Sequence, residues 1–253
     1  AMEANTTGVR NLAIGYGAYR QSDTENDNIG IGYQAMHTDT AGGEYNIAIG
    51  NYALDALTSG DENVAIGHNA MTTETTGFQN TALGAGAAYS QNDEDYNTAI
   101  GYKVLHNGTG SSNTGVGASA LLANTTGAEN VAVGFSALLD VSTGGYNTAI
   151  GASALENATT SSNNVAVGNS AMKACTTGTE NVAVGREALD ALVDVNGCTA
   201  VGYRALSANT AAGNTGIGKA AMLVNTSGTL NTGVGTEAML SATEGSNNTA
   251  LGY

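Results

Sequence analysis

Proline and tryptophan are absent from the 253-residue chain, and only two cysteines, three histidines and two phenylalanines occur in it. Charge is scarce and one-sided: seven Lys and Arg stand against 22 Asp and Glu, a formal net charge of −15. A nucleic-acid backbone or an anionic bilayer would repel such a chain, so no nucleic-acid partner is expected. No run of about 18 apolar residues occurs, so membrane insertion is not expected, and no basic segment leads into an apolar one as in a secretion signal. Two cysteines and three scattered histidines leave little material for a metal site, and no cofactor is expected. Charged residues make up 11% of the chain, less than half of the ~25% of an ordinary globular domain. This composition disfavours an enzyme.

What the chain has instead is glycine, 36 residues of it, placed periodically. A glycine closes each Ala/Gly-aliphatic-Gly triplet at positions 15, 32, 50, 67, 84, 101, 117, 134, 151, 168, 185, 202, 218, 235 and 252. The spacing is 17 residues, with single steps of 16 or 18. Counted from this glycine, position −4 is Asn in every copy but one: Asn11, Asn28, Asn46, Asn63, Asn80, Asn97, Asn113, Asn130, Asn147, Asn164, Asn181, Asn214, Asn231 and Asn248. Cys198 is the exception. Position −2 is Ala or Gly, −1 is Ile, Val or Leu, +3 is Ala except at Val104, and +4 is mostly Leu or Met.

Seventeen residues are too few for two helices and a turn, which excludes the helical solenoids. The β-branched, alternating block before each glycine reads as a short strand, the glycine and its two successors as a corner, and Ala-Leu as the start of a second short strand. Stacking such coils at about 4.8 Å gives an all-β solenoid, a β-roll of about fifteen coils. Residues 1–4 are expected as a tag remnant or lead-in and 5–253 as one repeat domain, a piece of a longer fibre. The Asn column is expected to form an internal ladder of side-chain amides. Only Glu187 and Glu237 among the acids fall within the nine-residue block from Asn to Leu. The rest crowd the return segment, as in Asp93-Glu94-Asp95, which must be solvated.

The strand itself points to a partner. Its −3 and −1 residues form an aliphatic and Thr face, its −2 residue and the glycine a face of minimal side chains, and neither carries charge. A thin coil buries only one of them, so the other is expected to pack against something.

At this point a family resemblance is apparent. The run N-V-A-V-G-F-S-A-L from Asn130 to Leu138 resembles the head repeats of trimeric autotransporter adhesins. The form N-T-A-I-G-A-S-A-L from Asn147 to Leu155, with T-T-G segments elsewhere, is also similar to repeats of phage tail-fibre and related surface-fibre proteins. The resemblance implies a parallel homotrimer of β-rolls, located outside the cell, on its surface or on a virion, that attaches to a surface protein or glycan. The adhesin heads usually have shorter coils, which leaves the cross-section open.

Individual residues add detail. Tyr16, Tyr33, Tyr102 and Tyr203 follow the glycine directly, where an exposed ring can stack on a glycan or cap the corner. His37, His68 and His106 sit at different phases or in distant coils, with no Ser-His or His-carboxylate pair indicated. Cys198 reads as a small buried side chain in the ladder, with a disulfide to Cys175 as the alternative. Thr occupies −3 in eight copies, including Thr199, Thr215, Thr232 and Thr249, so an ice-binding solenoid is the second functional reading. A polysaccharide-cleaving tailspike would need a privileged carboxylate pair, and the repeat offers none.

Overall fold

The computed structural model describes residues 1–21, 24–38 and 42–253. The chain divides into two compact units, Ala1–Gly127 and Ala128–Tyr253. The first carries β1 (Leu12–Ile14), β2 (Ile29–Ile31), β3 (Ile47–Ile49), β4 (Val64–Ile66), β5 (Thr81–Leu83), β6 (Thr98–Ile100) and β7 (Thr114–Val116). The second carries β8 (Val131–Val133), β9 (Thr148–Ile150), β10 (Val165–Val167), β11 (Val182–Val184), β12 (Thr199–Val201), β13 (Thr215–Ile217), β14 (Thr232–Val234) and β15 (Thr249–Leu251). Within each unit successive strands pair in parallel and in register, as in Val165↔Val182 and Ala166↔Ala183. The fold is the expected all-β parallel solenoid with one strand per coil, and no helix occurs among the described residues.

The expected second strand at Ala-Leu does not form. The +4 residue is left-handed in coil after coil, at φ 50° in Leu138 and Leu155 and 49° in Met172, and so is the +2 residue, at 54° in Ser136. Alternating left-handed residues turn the chain instead of extending it. The coils still bond one another there: Leu138 N–H donates to Ala154 O and Leu155 N–H to Ala171 O, each at 3.0 Å. Met2 has φ 50° and donates to Ala18 O at 3.0 Å, in the phase of the Leu/Met residues.

The small strand face lies inside. Ala132, Ala149, Ala166, Ala183 and Ala200 are fully buried at −2, facing buried Leu or Met at +4 and buried Ala at +3. Small and large must alternate because the coil is only about one side chain thick. At Gly233 a Cβ would lie 2.9 Å from Met222 Cγ, and at Gly115 one would lie 2.4 Å from Val104 Cγ1. Val104, the one departure from Ala at +3, follows a coil in which Ala88 replaces the Leu, and Ala88 N–H donates to Val104 O at 2.8 Å. The repeat glycine is needed for close stacking: a Cβ on Gly168, at φ +137°, would lie 2.6 Å from both C and O of Gly185.

Candidate functional site: an uncharged sheet face

With the small residues inside, the −3 and −1 side chains of every strand point outward. Ile150 is 41% exposed and Leu83 44%, and Val131, Val165, Val184 and Ile217 are also exposed. In the second unit the outer ranks run Val131, Thr148, Val165, Val182, Thr199, Thr215, Thr232, Thr249 and Val133, Ile150, Val167, Val184, Val201, Ile217, Val234, Leu251. Seven or eight strands at about 4.8 Å make a strip roughly 30–35 Å long in each unit, with two side chains per coil and no charge on them. Charge sits elsewhere, in pairs between adjacent coils at Lys173–Glu156, 3.0 Å, and Arg204–Glu187, 3.4 Å, and within one corner at Arg186–Glu187, 2.7 Å.

The Asn column runs along the start of the strands, each Asn standing directly before its strand. Asn28, Asn46, Asn63, Asn80, Asn97, Asn113, Asn130, Asn147, Asn164, Asn181, Asn214 and Asn231 are buried, while Asn11 is half-buried and Asn248 exposed at the ends. Each amide bonds mostly to backbone. Asn164 Oδ1 accepts from Asn181 N–H at 2.9 Å, and Asn164 Nδ2 donates to Gly178 O at 2.8 Å. Amide-to-amide bonds occur at a few steps, such as Asn147 Nδ2 to Asn130 Oδ1 at 3.1 Å. Cys198 holds its place in the column: its N–H donates to Asn181 Oδ1 at 2.9 Å and its Sγ to Ala211 O at 3.3 Å. Cys175 and Cys198 are both free and buried, and burial pushes the Cys175 thiol up to about 11.

A second ladder was not anticipated. Thr or Ser at +8 donates its hydroxyl to the carbonyl of the next coil, as in Thr159 to Thr176 O at 3.0 Å and Thr226 to Thr243 O at 3.1 Å. The T-T-G recurrence was its only sequence signal. Beside it, position +7 points inward and varies freely: Leu57, Glu74, Gln91, Gly108 and Asn124 in the first unit, and Val141, Ala158, Cys175, Leu192, Asn209 and Asn225 in the second. Glu74 Oε1 accepts from Gly77 N–H at 2.7 Å, but its Oε2 and both amide atoms of Gln91 are buried without a hydrogen-bond partner. Burial, together with the nearby Glu94 and Asp93 charges, raises the Glu74 carboxyl to about 7 against the Gly77 and Thr75 N–H groups, which lower it.

The four corner tyrosines are exposed. Tyr16 and Tyr33 are brought together, stacked at 5.5 Å and 13°. Tyr102 lies beneath Lys103 Nζ at 5.4 Å, and Tyr203 beneath the Arg186 guanidinium at 6.0 Å. No group of three or more His, Cys, Asp or Glu is arranged to hold a metal ion among the described residues. No protein-family model matches the chain, and no curated protein matches it either.

Proposed function

We propose that the chain is the repeat domain of a surface fibre or adhesin head, a structural and attachment module without catalysis, that works as a parallel homotrimer outside the cell or on a virion. The observation that carries this reading is the uncharged outer sheet face. A strip of that length and composition in each unit reaches the few hundred Å² at which an exposed apolar patch marks an interaction surface. A second copy of the chain is the occupant that fits it best. Every coil presents the same pair of side chains at the same spacing, so an identical parallel partner in register meets its match at each level. The acidic groups lie off this face and would turn outward, where self-repulsion between chains is least.

Sedimentation equilibrium of the chain, beside the variant Ile150→Asp, tests the proposal. A trimer that Ile150→Asp dissociates, with the far-ultraviolet β signal retained, is expected, because an ionised carboxylate would otherwise be buried without a partner. A monomer at micromolar concentration would overturn it. The second reading, an ice-binding face, is favoured by one observation: Thr199, Thr215, Thr232 and Thr249 stand in register on β12 to β15. An ice binder must leave that face bare, so a monomer with thermal-hysteresis activity would establish it instead.

A further inference from the structure

One corner of the first unit departs from the repeat in several ways at once. At 84–88 the sequence runs Gly-Ala-Gly-Ala-Ala, so the corner after β5 has no side chain longer than a methyl. The neighbouring coils supply the walls of an open groove of about 410 Å³ over this floor. Tyr89 stacks on His106 at 4.9 Å and 27°, Tyr102 carries Lys103 above its ring, and His68 closes the far side. His106 Nδ1–H donates to Gly86 O at 2.9 Å, which fixes the plane of the imidazole.

Gly86 is the informative residue. Its φ of +64° does not require glycine, since side chains occupy the same left-handed +2 position in twelve other coils, from Gln34 to Glu237. What glycine leaves there is space: a Cβ would meet His106 Nδ1 at 3.4 Å and Lys103 Cγ at 3.5 Å. The charge is equally out of character. In a chain with 22 acids, no carboxylate lines this groove, and Lys103 makes no ion pair among the described residues, whereas Lys173 and Arg186 do. Two of the three histidines border it.

From this arrangement we infer that the groove binds a short stretch of an anionic, carboxylate-bearing saccharide. Aromatic faces accept the C–H face of a sugar ring, the Lys103 ammonium takes the carboxylate, and the imidazoles and Asn69 are placed for hydroxyls. The volume suits two or three sugar units, and the open form suits a chain lying across it. A single ammonium beside the rings suits one carboxylate at a time, not the closely spaced phosphates of a nucleic acid. This inference deepens the attachment reading and rests on it for its purpose, but its test does not depend on assembly.

Trigalacturonate and the neutral trisaccharide maltotriose would be titrated calorimetrically into the intact chain and into Gly86→Ser and Lys103→Gln. Trigalacturonate is expected to bind at least tenfold more tightly than maltotriose. Lys103→Gln should lose about tenfold for the acid alone, the size of one charge-assisted contact. Gly86→Ser, which restores the side chain common in other coils, should lose binding of both while the unfolding midpoint stays unchanged. No trigalacturonate binding by the unaltered chain, or equal binding by all three proteins, would overturn the inference. Sedimentation of the same samples separates the two proposals: a trimer that ignores the saccharide sinks only the groove, and a monomer that binds it sinks only the homotrimer.

Discussion

Two columns run through the inside of the coils, and they obey different rules. The −4 column is Asn in fourteen of fifteen copies, while the +7 column, among the described residues, holds Leu, Glu, Gln, Gly, Asn, Val, Ala and Cys. Away from the chain ends, the described members of both are buried, so burial is not what separates them. The Asn amide faces a backbone N–H and a carbonyl three residues apart in the adjoining layer, as Asn164 does with Asn181 and Gly178, and those groups recur whatever the side chains are. Only a short side chain with one acceptor and two donors satisfies both, which excludes Asp and Leu alike. A polar +7 side chain bonds one backbone group three residues on, as Asn124 Nδ2 does to Gly127 O at 2.9 Å, but apolar residues also fill the place and polar atoms are left over: Glu74 Oε2, Asn124 Oδ1 and Asn225 Oδ1 are buried and unpaired. Identity in a repeat therefore follows recurring backbone demand.

The largest break in this comparison should come from Asn164→Ala. It strands Asn181 N–H and leaves Gly178 O with only the weak Cys175 thiol donor at 3.7 Å, each group worth about 1–3 kcal/mol when buried and poorly paired, so urea unfolding should show a loss of about 4 kcal/mol. Ala158→Leu, in the other column, should cost less than half of that, because Leu57 and Leu192 already occupy equivalent places. A similar loss in both would mean that burial alone governs the columns.

Next in size is the pH dependence of Glu74. Its carboxyl is raised in the folded protein, so the fold binds more protons than the unfolded chain between the ordinary value of 4.5 and about 7. Stability from this group is fully present below pH 4.5 and is lost as pH rises through 7, by about 3 kcal/mol. Glu74→Gln should flatten that portion of the pH–stability curve measured by denaturant titration, and an unchanged curve would refute the assignment.

A smaller effect is expected from Cys198→Asn. Asn at 198 would offer Asn214 N–H a full amide oxygen in place of the thiol sulfur it now faces, and should add about 1 kcal/mol. The smallest is Thr159→Val, which removes one partly exposed rung of the hydroxyl ladder and should cost under about 1 kcal/mol. Calorimetric melting of both variants would rank them.

The period, the parallel strand and the Asn column were legible because each repeats without exception or nearly so. Which strand face lies inside was not, since alternation separates the faces without saying which one is covered. The decision comes from the Leu and Met side chains at +4: contacts such as Met222 against Gly233 need minimal residues opposite, and this pushes Val and Ile outward. The groove was hidden for another reason. His68 and His106 are two coils apart and out of phase, and only the bare corner at Ala85 and Gly86 brings them to one depression. The missing Leu at Ala88 together with glycine at +2 was the available signal.

The left-handed corners have a consequence for how the molecule comes into being. Most coils carry three non-glycine residues at φ near 50–60°, as at Glu129, Ser136 and Leu138, each costing roughly 1 kcal/mol in an isolated chain. A lone coil therefore starts about 3 kcal/mol uphill before it bonds to anything. Apart from short turn bonds such as Ala154 N–H to Gly151 O and Ala158 N–H to Leu155 O, each at 3.2 Å, its hydrogen bonds are made to the coil before or after it, so most of the strain is offset only on an existing template. Growth should accordingly need a rare nucleus of a few coils and then proceed by copying from its end. Chains cut to very few repeats should fail to fold outright, not fold with proportionally less stability.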